Sequence, residues 1–206
     1  MNLKSIHNIY FIGIGGIGMS ALARYFVIIG KKVSGYDKIP SRTTDSLIDL
    51  GVSIQFEANS SMINKMFTDP LKTMVVFTPA ISQDNSLLNY FKSKYFQVFK
   101  RSEVLGLVTK NTQCFAIAGT HGKTTTTSIL AHLLYQNSKK VTAFIGGISE
   151  NYQSNLIQNG TDISVVEADE FDRSFLTLSP DFACITSMDA DHLDIYDSET
   201  DLVDAF

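Results

Sequence analysis

A glycine-rich stretch near the middle of the chain has the residues and spacing of a phosphate-binding loop. It reads Gly119-Thr120-His121-Gly122-Lys123-Thr124-Thr125 and follows the apolar run Cys114 to Ala118, which predicts a buried strand. Apolar residues then recur at helical spacing from Ile129 to Leu134, which predicts a helix. In a strand, loop and helix of this kind, main-chain N–H groups face phosphate, the lysine reaches the terminal phosphates and Thr124 offers its hydroxyl to magnesium.

The loop is a short variant of the eight-residue pattern, because Ile117 stands where that pattern has its first glycine. A simpler interpretation is that Gly122-Lys123-Thr124 caps a surface helix. That interpretation leaves unexplained why a glycine loop joins a buried strand to an amphipathic helix, so we expect a nucleotide site here.

Two acidic segments follow later apolar runs. Glu167 ends the run that begins at Asp162, and His192 lies among aspartates after the run Phe182 to Ser187. If these strands are parallel to the one before the phosphate loop, Glu167, His192 and Thr124 lie at one edge of the sheet. Such an arrangement predicts a magnesium site. The alternatives are that the acids belong to solvated loops and that the histidine is structural.

The N-terminal segment predicts a second nucleotide-binding unit. A predicted strand from Asn8 to Ile12 is followed by glycines 13, 15 and 18. A predicted helix, a second strand and Asp37 come after them. This order is that of a Rossmann-type unit, whose acid accepts ribose hydroxyl groups. A purely structural glycine turn is the alternative. Further along, the segment Thr78 to Ser82 follows the predicted strand Thr73 to Phe77. This segment either lines the ligand crevice or forms a plain turn.

We therefore predict an α/β protein with a Rossmann-like domain over residues 1–110 and part of a P-loop-type α/β domain over residues 111–206. The polar segment Asn151 to Gly160 is expected to be a loop. Hydrophobic residues make up 44% of the 206, which allows a proper core.

Composition and charge limit the classes of binding partner and the cellular compartment that we expect. The net charge of -4 with no basic stripe argues against nucleic acid. The apolar stretch Ile9 to Ile29 contains four glycines and Arg24, so it predicts strand, turn and helix and not a membrane span or a signal peptide. Cys114 and Cys184 each lie in an apolar run, so no disulfide is implied. We expect a cytoplasmic protein.

Four motifs in order resemble one family. These are Phe11 to Ser20, Gly119 to Thr125, Glu167-Ala168-Asp169-Glu170 and Asp191-His192. Together they are similar to the ATP-dependent Mur ligases of peptidoglycan synthesis, enzymes of cell wall biogenesis, cell shape and cell division. The resemblance spans nearly the whole chain. It implies ligation of L-alanine to the lactoyl carboxylate of UDP-N-acetylmuramate through an acyl phosphate, with ATP and Mg²⁺.

The resemblance also implies residue roles. It places the UDP sugar, with no hydride chemistry, on Gly15, Gly16, Ile17, Gly18, Met19, Ser20, Asp37, Thr78, Ala80 and Arg101. It places the phosphates of ATP on Gly119, Thr120, His121, Gly122, Lys123, Thr124 and Thr125. It assigns the metal to Thr124, Glu167 and His192, and the catalytic roles to Lys123, Glu167 and His192.

Two departures from the family pattern and three alternatives remain at this point. Members are about twice as long, so the chain resembles a fragment that would lack turnover by itself, and Phe171 stands where a small polar residue is usual.

The nearest alternative is a ligase that attaches a recycled tripeptide to the same muramate. A nicotinamide-dependent oxidoreductase and a non-catalytic nucleotide sensor are the others.

Overall fold

A computed structural model describes residues 3, 5–169 and 171–189 of the chain. The chain divides into two compact units, Met1–Arg101 and Ser102–Phe206, which we describe separately. In the described part of the chain, no helix has both the length and the apolar character needed to cross a bilayer.

The first unit contains a five-stranded parallel sheet, as the sequence predicts. Its strands are β1 (Asn8–Ile12), β2 (Lys32–Tyr36), β3 (Ser53–Gln55), β4 (Thr73–Phe77) and β5 (Gln97–Lys100). The order is β3-β2-β1-β4-β5, with β1 paired to both β2 and β4. The chain thus winds in opposite directions from β1, and ligands of such sheets bind at the carboxyl ends of the strands around that point.

Three α-helices lie between these strands, and a fourth follows β5. They are α1 (Ile17–Ile28), α2 (Arg42–Asp49), α3 (Ser86–Ser93) and α4 (Arg101–Thr109). Ser41 and Thr44 form a capping box at the start of α2, and the Asn85 side chain caps α3. All five residues of β1 are buried, and Tyr10 packs on Phe91 with ring centroids 4.9 Å apart. The core therefore holds β1 and its glycine loop in place.

The second unit contains a mixed sheet in the order β10-β6-β9-β7-β8. Its strands are β6 (Gln113–Ala118), β7 (Val141–Ser149), β8 (Ser154–Gln158), β9 (Ile163–Glu167) and β10 (Phe182–Ile185), and helix α5 (Lys123–Gln136) follows β6. β6 pairs in parallel with both β9 and β10. The carboxyl ends of these three strands therefore lie side by side at one edge, as the sequence argument requires for a site there.

One segment differs from the prediction. The expected loop Asn151 to Gly160 contains strand β8, which pairs antiparallel with β7, and β7 itself continues to Ser149. Burial of Leu156 and Ile157 explains the strand, because two adjacent apolar residues pack while the main chain completes the sheet. The division at residues 110 and 111 stays a prediction, since α4 runs from the end of the first unit into the second.

Candidate nucleotide-binding sites

The glycine loop of the first unit turns sharply at the carboxyl end of β1. Gly13 has φ of +88°, a conformation that side chains with Cβ rarely adopt. The N–H groups of Gly13 and Ile14 both donate to the carbonyl oxygen of Tyr36, at 2.8 and 3.0 Å. The turn is thus fixed to the end of β2 before α1 begins.

Three of the predicted site residues surround this loop. A Cβ built at Gly13 would lie 2.7 Å from Thr78 Cγ2, and one at Gly18 would lie 2.8 Å from Arg101 Nη1. Asp37 accepts a hydrogen bond from the Gly15 N–H at 2.7 Å. The residues that directly follow β2, β4 and β5 therefore lie close to the glycine loop, around one crevice of the first unit.

Asp37 has a different environment from that expected of a ribose ligand. Its Oδ2 accepts from Gly15 N–H at 2.7 Å, and its Oδ1 accepts from Ile39 N–H at 3.2 Å. Both carboxylate oxygens thus bind main-chain groups. In this structure the acid shapes the glycine loop, a function that the spacing alone did not indicate.

The N-terminus of α1 completes the crevice. Gly16 is the N-cap, without a side-chain capping bond, and the first turn carries no acidic residue, so the positive end of the helix is not neutralised locally. Ile17 is exposed, whereas Met19 and Ser20 are buried, and the Ser20 hydroxyl donates to the Ile17 carbonyl at 3.0 Å. The Ser20 main-chain N–H also donates within the helix, to the Gly16 carbonyl at 2.8 Å.

The turn after β4 brings an aliphatic side chain close to the loop. Ala80 is exposed in the turn after β4. Ile81, which sequence reasoning did not select, comes closer, because a Cβ at Gly13 would lie 3.4 Å from two of its side-chain carbons. An aliphatic side chain carries no motif signal, which is why the sequence did not identify it.

The phosphate loop of the second unit has the predicted layout. It joins β6 to α5, with Gly119 at φ +117° and Gly122 at φ +84° as the N-cap of the helix. No side chain caps α5 and no acid lies in its first turn. The first main-chain N–H groups of the helix have no partner within the helix itself, so they and the helix dipole favour an anion at this position.

Lys123 and Thr124 lie at the start of α5 and face the end of β9. The Lys123 ammonium donates to the carbonyl oxygens of Gly119 at 2.6 Å and Thr120 at 3.4 Å, so it lies across its own loop. The Thr124 hydroxyl donates to Glu167 Oε2 at 3.0 Å. The structure therefore brings Lys123, Thr124 and Glu167 together, as the sequence predicts.

Glu167 is fixed from a second side by β7. Its Oε1 accepts a hydrogen bond from the main-chain N–H of Gly146 at 2.6 Å. Burial raises the pKa of Glu167 above its usual value, although the Gly146 N–H, the Thr124 hydroxyl and the charge of Lys123 act in the opposite direction. The carboxylate is thus oriented by two donors in a partly desolvated position.

These oxygen donors fit a magnesium ion. A carboxylate and a threonine hydroxyl are hard ligands of the kind that Mg²⁺ prefers, and a cation there would favour the ionised form of Glu167. The third predicted ligand, His192, lies outside the described residues, as do Glu170 and Asp191. Among the residues that the structure describes, no three His, Cys, Asp or Glu side chains form a metal cluster.

The sequence placed the segment that follows β10 at this edge of the sheet, but it did not predict the hydrogen bonds of that segment to the phosphate loop. The main-chain N–H of Thr120 donates to the Ser187 carbonyl at 3.0 Å, and the N–H of His121 donates to the Ser187 hydroxyl at 2.9 Å. The Thr120 hydroxyl donates to the Asp189 carbonyl at 2.8 Å. The first half of the phosphate loop is therefore hydrogen bonded to residues 66 to 69 positions later in the chain.

Comparison with known proteins agrees with this geometry. The sequence pattern of "Mur ligase family, catalytic domain" matches residues 8–113, and that of "Mur ligase middle domain" matches residues 117–206. The chain belongs to the Mur ligase family.

Named relatives cover the whole chain. It is 60% identical over 206 residues to a UDP-N-acetylmuramate--L-alanine ligase of Flavobacterium psychrophilum, covering 100% of this chain and 46% of that protein. It is 52% identical over 197 residues to the protein of the same name from Parabacteroides distasonis, covering 95% and 43%. This Mur ligase chain thus spans a little under half the length of the curated relatives it matches.

Two solved Mur ligases have similar structures. A UDP-N-acetylmuramate-alanine ligase from Thermotoga maritima is 32% identical, with a TM-score of 0.86, and the match covers 96% of this chain and 45% of that one. A UDP-N-acetylmuramate:L-alanyl-gamma-D-glutamyl-meso-diaminopimelate ligase from Neisseria meningitides is 25% identical, with a TM-score of 0.86, covering 98% and 66%. Both likenesses agree with the predicted fold class, which is confirmed.

Proposed function

We propose that this chain supplies the UDP-sugar site and the ATP site of an enzyme that ligates L-alanine to UDP-N-acetylmuramate. The observation that carries the proposal is the approach of Lys123, Thr124 and Glu167 to one another beside the phosphate loop. The 60% identity to a relative of that name supports the choice of L-alanine. ATP and sugar nucleotides are cytoplasmic substrates, so we place the activity in the cytoplasm.

In the first unit, the crevice around the glycine loop would bind the pyrophosphate of the UDP sugar. The N-terminus of α1 and the guanidinium of Arg101 supply positive charge there. Asp37 keeps the Gly15 amide in position through the 2.7 Å hydrogen bond. In this proposal the crevice binds the UDP sugar and no hydride transfer takes place there.

In the second unit, the main-chain N–H groups at the start of α5 would bind the β- and γ-phosphates of ATP, because those of Thr120 and His121 already donate to Ser187. Lys123 would move from the Gly119 carbonyl to the phosphates and neutralise charge on the transferring phosphoryl group. Thr124 and Glu167 would hold Mg²⁺, which when bound supplies further positive charge against the phosphates. His192 stays a predicted third ligand.

The chemistry takes place in two steps. A carboxylate oxygen of the lactoyl group attacks the γ-phosphorus of ATP, and ADP leaves. The amine of L-alanine then attacks the carbonyl carbon of the acyl phosphate, inorganic phosphate leaves and an amide bond forms. In both steps the role of this chain is to orient the carboxylate and the phosphates and to stabilise negative charge.

Release of ADP by the complete gene product tests the proposal. We expect ADP formation that requires UDP-N-acetylmuramate and L-alanine together, and little with the tripeptide L-alanyl-γ-D-glutamyl-meso-diaminopimelate in place of alanine. Lys123→Met should lower kcat by about 100-fold or more, because a charge opposite the transferring group is lost. Lys139→Met, at an exposed lysine beyond the other end of α5, is the matched control and should leave kcat unchanged.

Three results would contradict the proposal. A tripeptide-dependent reaction without an alanine-dependent one would assign the recycling ligase. Saturable NADH binding without UDP-sugar binding would assign an oxidoreductase. Tight ATP binding without turnover under any combination of substrates would indicate a nucleotide sensor.

A further inference from the structure

Residues 186–189, which we call the brace, lie directly against the phosphate loop. β10 pairs in parallel with β6, and Ile185 lies opposite Ala118, so the residue after each strand emerges at the same edge. The brace therefore lies beside the loop, and its contacts with the loop involve both main-chain and side-chain groups.

Thr186 contacts both sides of the first half of the loop. Its hydroxyl lies 3.0 Å from the Ala118 carbonyl oxygen and in hydrogen-bond contact with the His121 carbonyl oxygen, and it can donate to either. Its main-chain N–H donates to the Ala118 carbonyl as well, at 3.0 Å. A Cβ at Gly119 would lie 2.5 Å from the Thr186 hydroxyl oxygen, which shows how closely the two segments pack.

Ser187 fixes two consecutive amides of the loop. Its carbonyl accepts from the N–H of Thr120 at 3.0 Å, and its hydroxyl accepts from the N–H of His121 at 2.9 Å. These two residues lie between Gly119 and Gly122, whose backbones are both in the left-handed region. A loop between two glycines has a high conformational entropy unless other contacts restrict it.

We propose that Thr186 and Ser187 are positioning residues for ATP: they hold the phosphate loop in a binding-competent shape before the nucleotide arrives. The inference rests on the proposed function of the loop. Pre-ordering lowers the entropy that binding must offset, so loss of either hydroxyl weakens ATP binding without removing any group that touches the phosphates. The UDP-sugar site lies on the other unit and is not held by these contacts.

Paired substitutions in the complete gene product test this role. Thr186→Val and Ser187→Ala each remove one hydroxyl group. Thr186→Ser retains the hydroxyl and removes only the methyl group. The control is Thr177→Val, because the Thr177 hydroxyl also faces two carbonyl oxygens, those of Ser102 at 2.9 Å and Ser174 at 2.8 Å, in the same unit but away from the loop.

Two measurements are made on each variant. The first is amide hydrogen exchange of residues 119–123 without nucleotide, which should be faster in Thr186→Val and Ser187→Ala and unchanged in the control. The second is calorimetric binding of a non-hydrolysable ATP analogue with Mg²⁺. We expect about 10-fold weaker binding in the two variants, and a change of less than about 2-fold in Thr186→Ser and in the control.

Binding of UDP-N-acetylmuramate shows whether each variant is folded and should stay unchanged throughout. Unchanged hydrogen exchange or unchanged ATP affinity in Thr186→Val and Ser187→Ala would overturn the positioning role while leaving the proposed function intact. A wild-type protein that binds no ATP analogue would overturn the proposed function and the inference together. Equal losses of ATP and UDP-sugar affinity would identify a general structural defect and also overturn it.

Discussion

Adding one methyl group at Gly146 should displace the carboxylate of Glu167. A Cβ at this position would lie 3.0 Å from Glu167 Cδ, 3.2 Å from Oε1 and closer still to Oε2. Ordinary contacts of such atoms begin at roughly 3.5 Å, so the carboxylate must move by roughly 1 Å. That movement disrupts the hydrogen bonds from the Gly146 N–H and the Thr124 hydroxyl.

The expected effect of Gly146→Ala is on function and not on folding. The group that must move is the end of a flexible side chain, so we expect a melting temperature within about 3 °C of the wild type. A displacement of about 1 Å in a catalytic group costs on the order of 100-fold in rate, which corresponds to roughly 2.7 kcal/mol of transition-state stabilisation. Steady-state ADP release by the complete gene product measures this loss.

Gly147→Ala is the matched control, one residue further along β7. A Cβ there meets only Thr124 Cγ2 within 4 Å among the described residues, at 3.3 Å, so this methyl group must shift by a few tenths of an ångström and no atom of Glu167 is contacted. We expect it to retain kcat/KM within about 5-fold. If Gly146→Ala were as active as Gly147→Ala, the position of the Glu167 carboxylate would not matter and the assigned role of that residue would be wrong.

Three further predictions concern other residues. Because burial raises the pKa of Glu167, its contribution to the stability of the folded chain is lost as pH rises from about 4.3, the ordinary value, through the raised value. Thermal melts of the wild type and of Glu167→Gln from pH 4 to 8 should show this loss in the wild type alone. Equal slopes of melting temperature against pH in the two proteins would contradict the prediction. The buried Tyr10 hydroxyl has no hydrogen-bond partner among the described residues, so Tyr10→Phe should stabilise the fold by up to about 1 kcal/mol in urea denaturation, and a clear loss of stability would reveal a hidden partner. Gly18→Ala should displace Arg101 and weaken UDP-N-acetylmuramate binding by about 10-fold in calorimetry, whereas unchanged affinity would exclude that arginine from the site.

The motifs and the succession of strands and helices along the chain could be predicted from the sequence because each depends on local residue types. Glycines 13 and 119 mark turns that need positive φ, and both follow buried apolar runs, so the two loops and the parallel strands before them were predicted correctly. The likeness to the Mur ligase family was also evident from these motifs and is confirmed. The roles of individual site residues stay predictions.

The features that the sequence did not indicate depend on contacts between distant segments. Strand β8 has only Leu156 and Ile157 as adjacent apolar residues, and its pairing with β7 decides its structure. One of the two donors that orient Glu167 is the main-chain N–H at position 146, which every residue except proline carries. Serine and threonine are common in turns, so nothing in Thr186 and Ser187 by themselves indicated a contact with a loop far earlier in the chain.

The order of the strands also determines when an ATP site can exist during protein synthesis. β6 is made early in the second unit, but its two sheet partners, β9 and β10, are made at least 45 residues later. The ribosome must therefore release the chain beyond residue 189 before the loop acquires its hydrogen bonds to Ser187 and Asp189. A nascent chain that ends between α5 and β10 carries the whole glycine-lysine-threonine motif and still cannot form the nucleotide site described here.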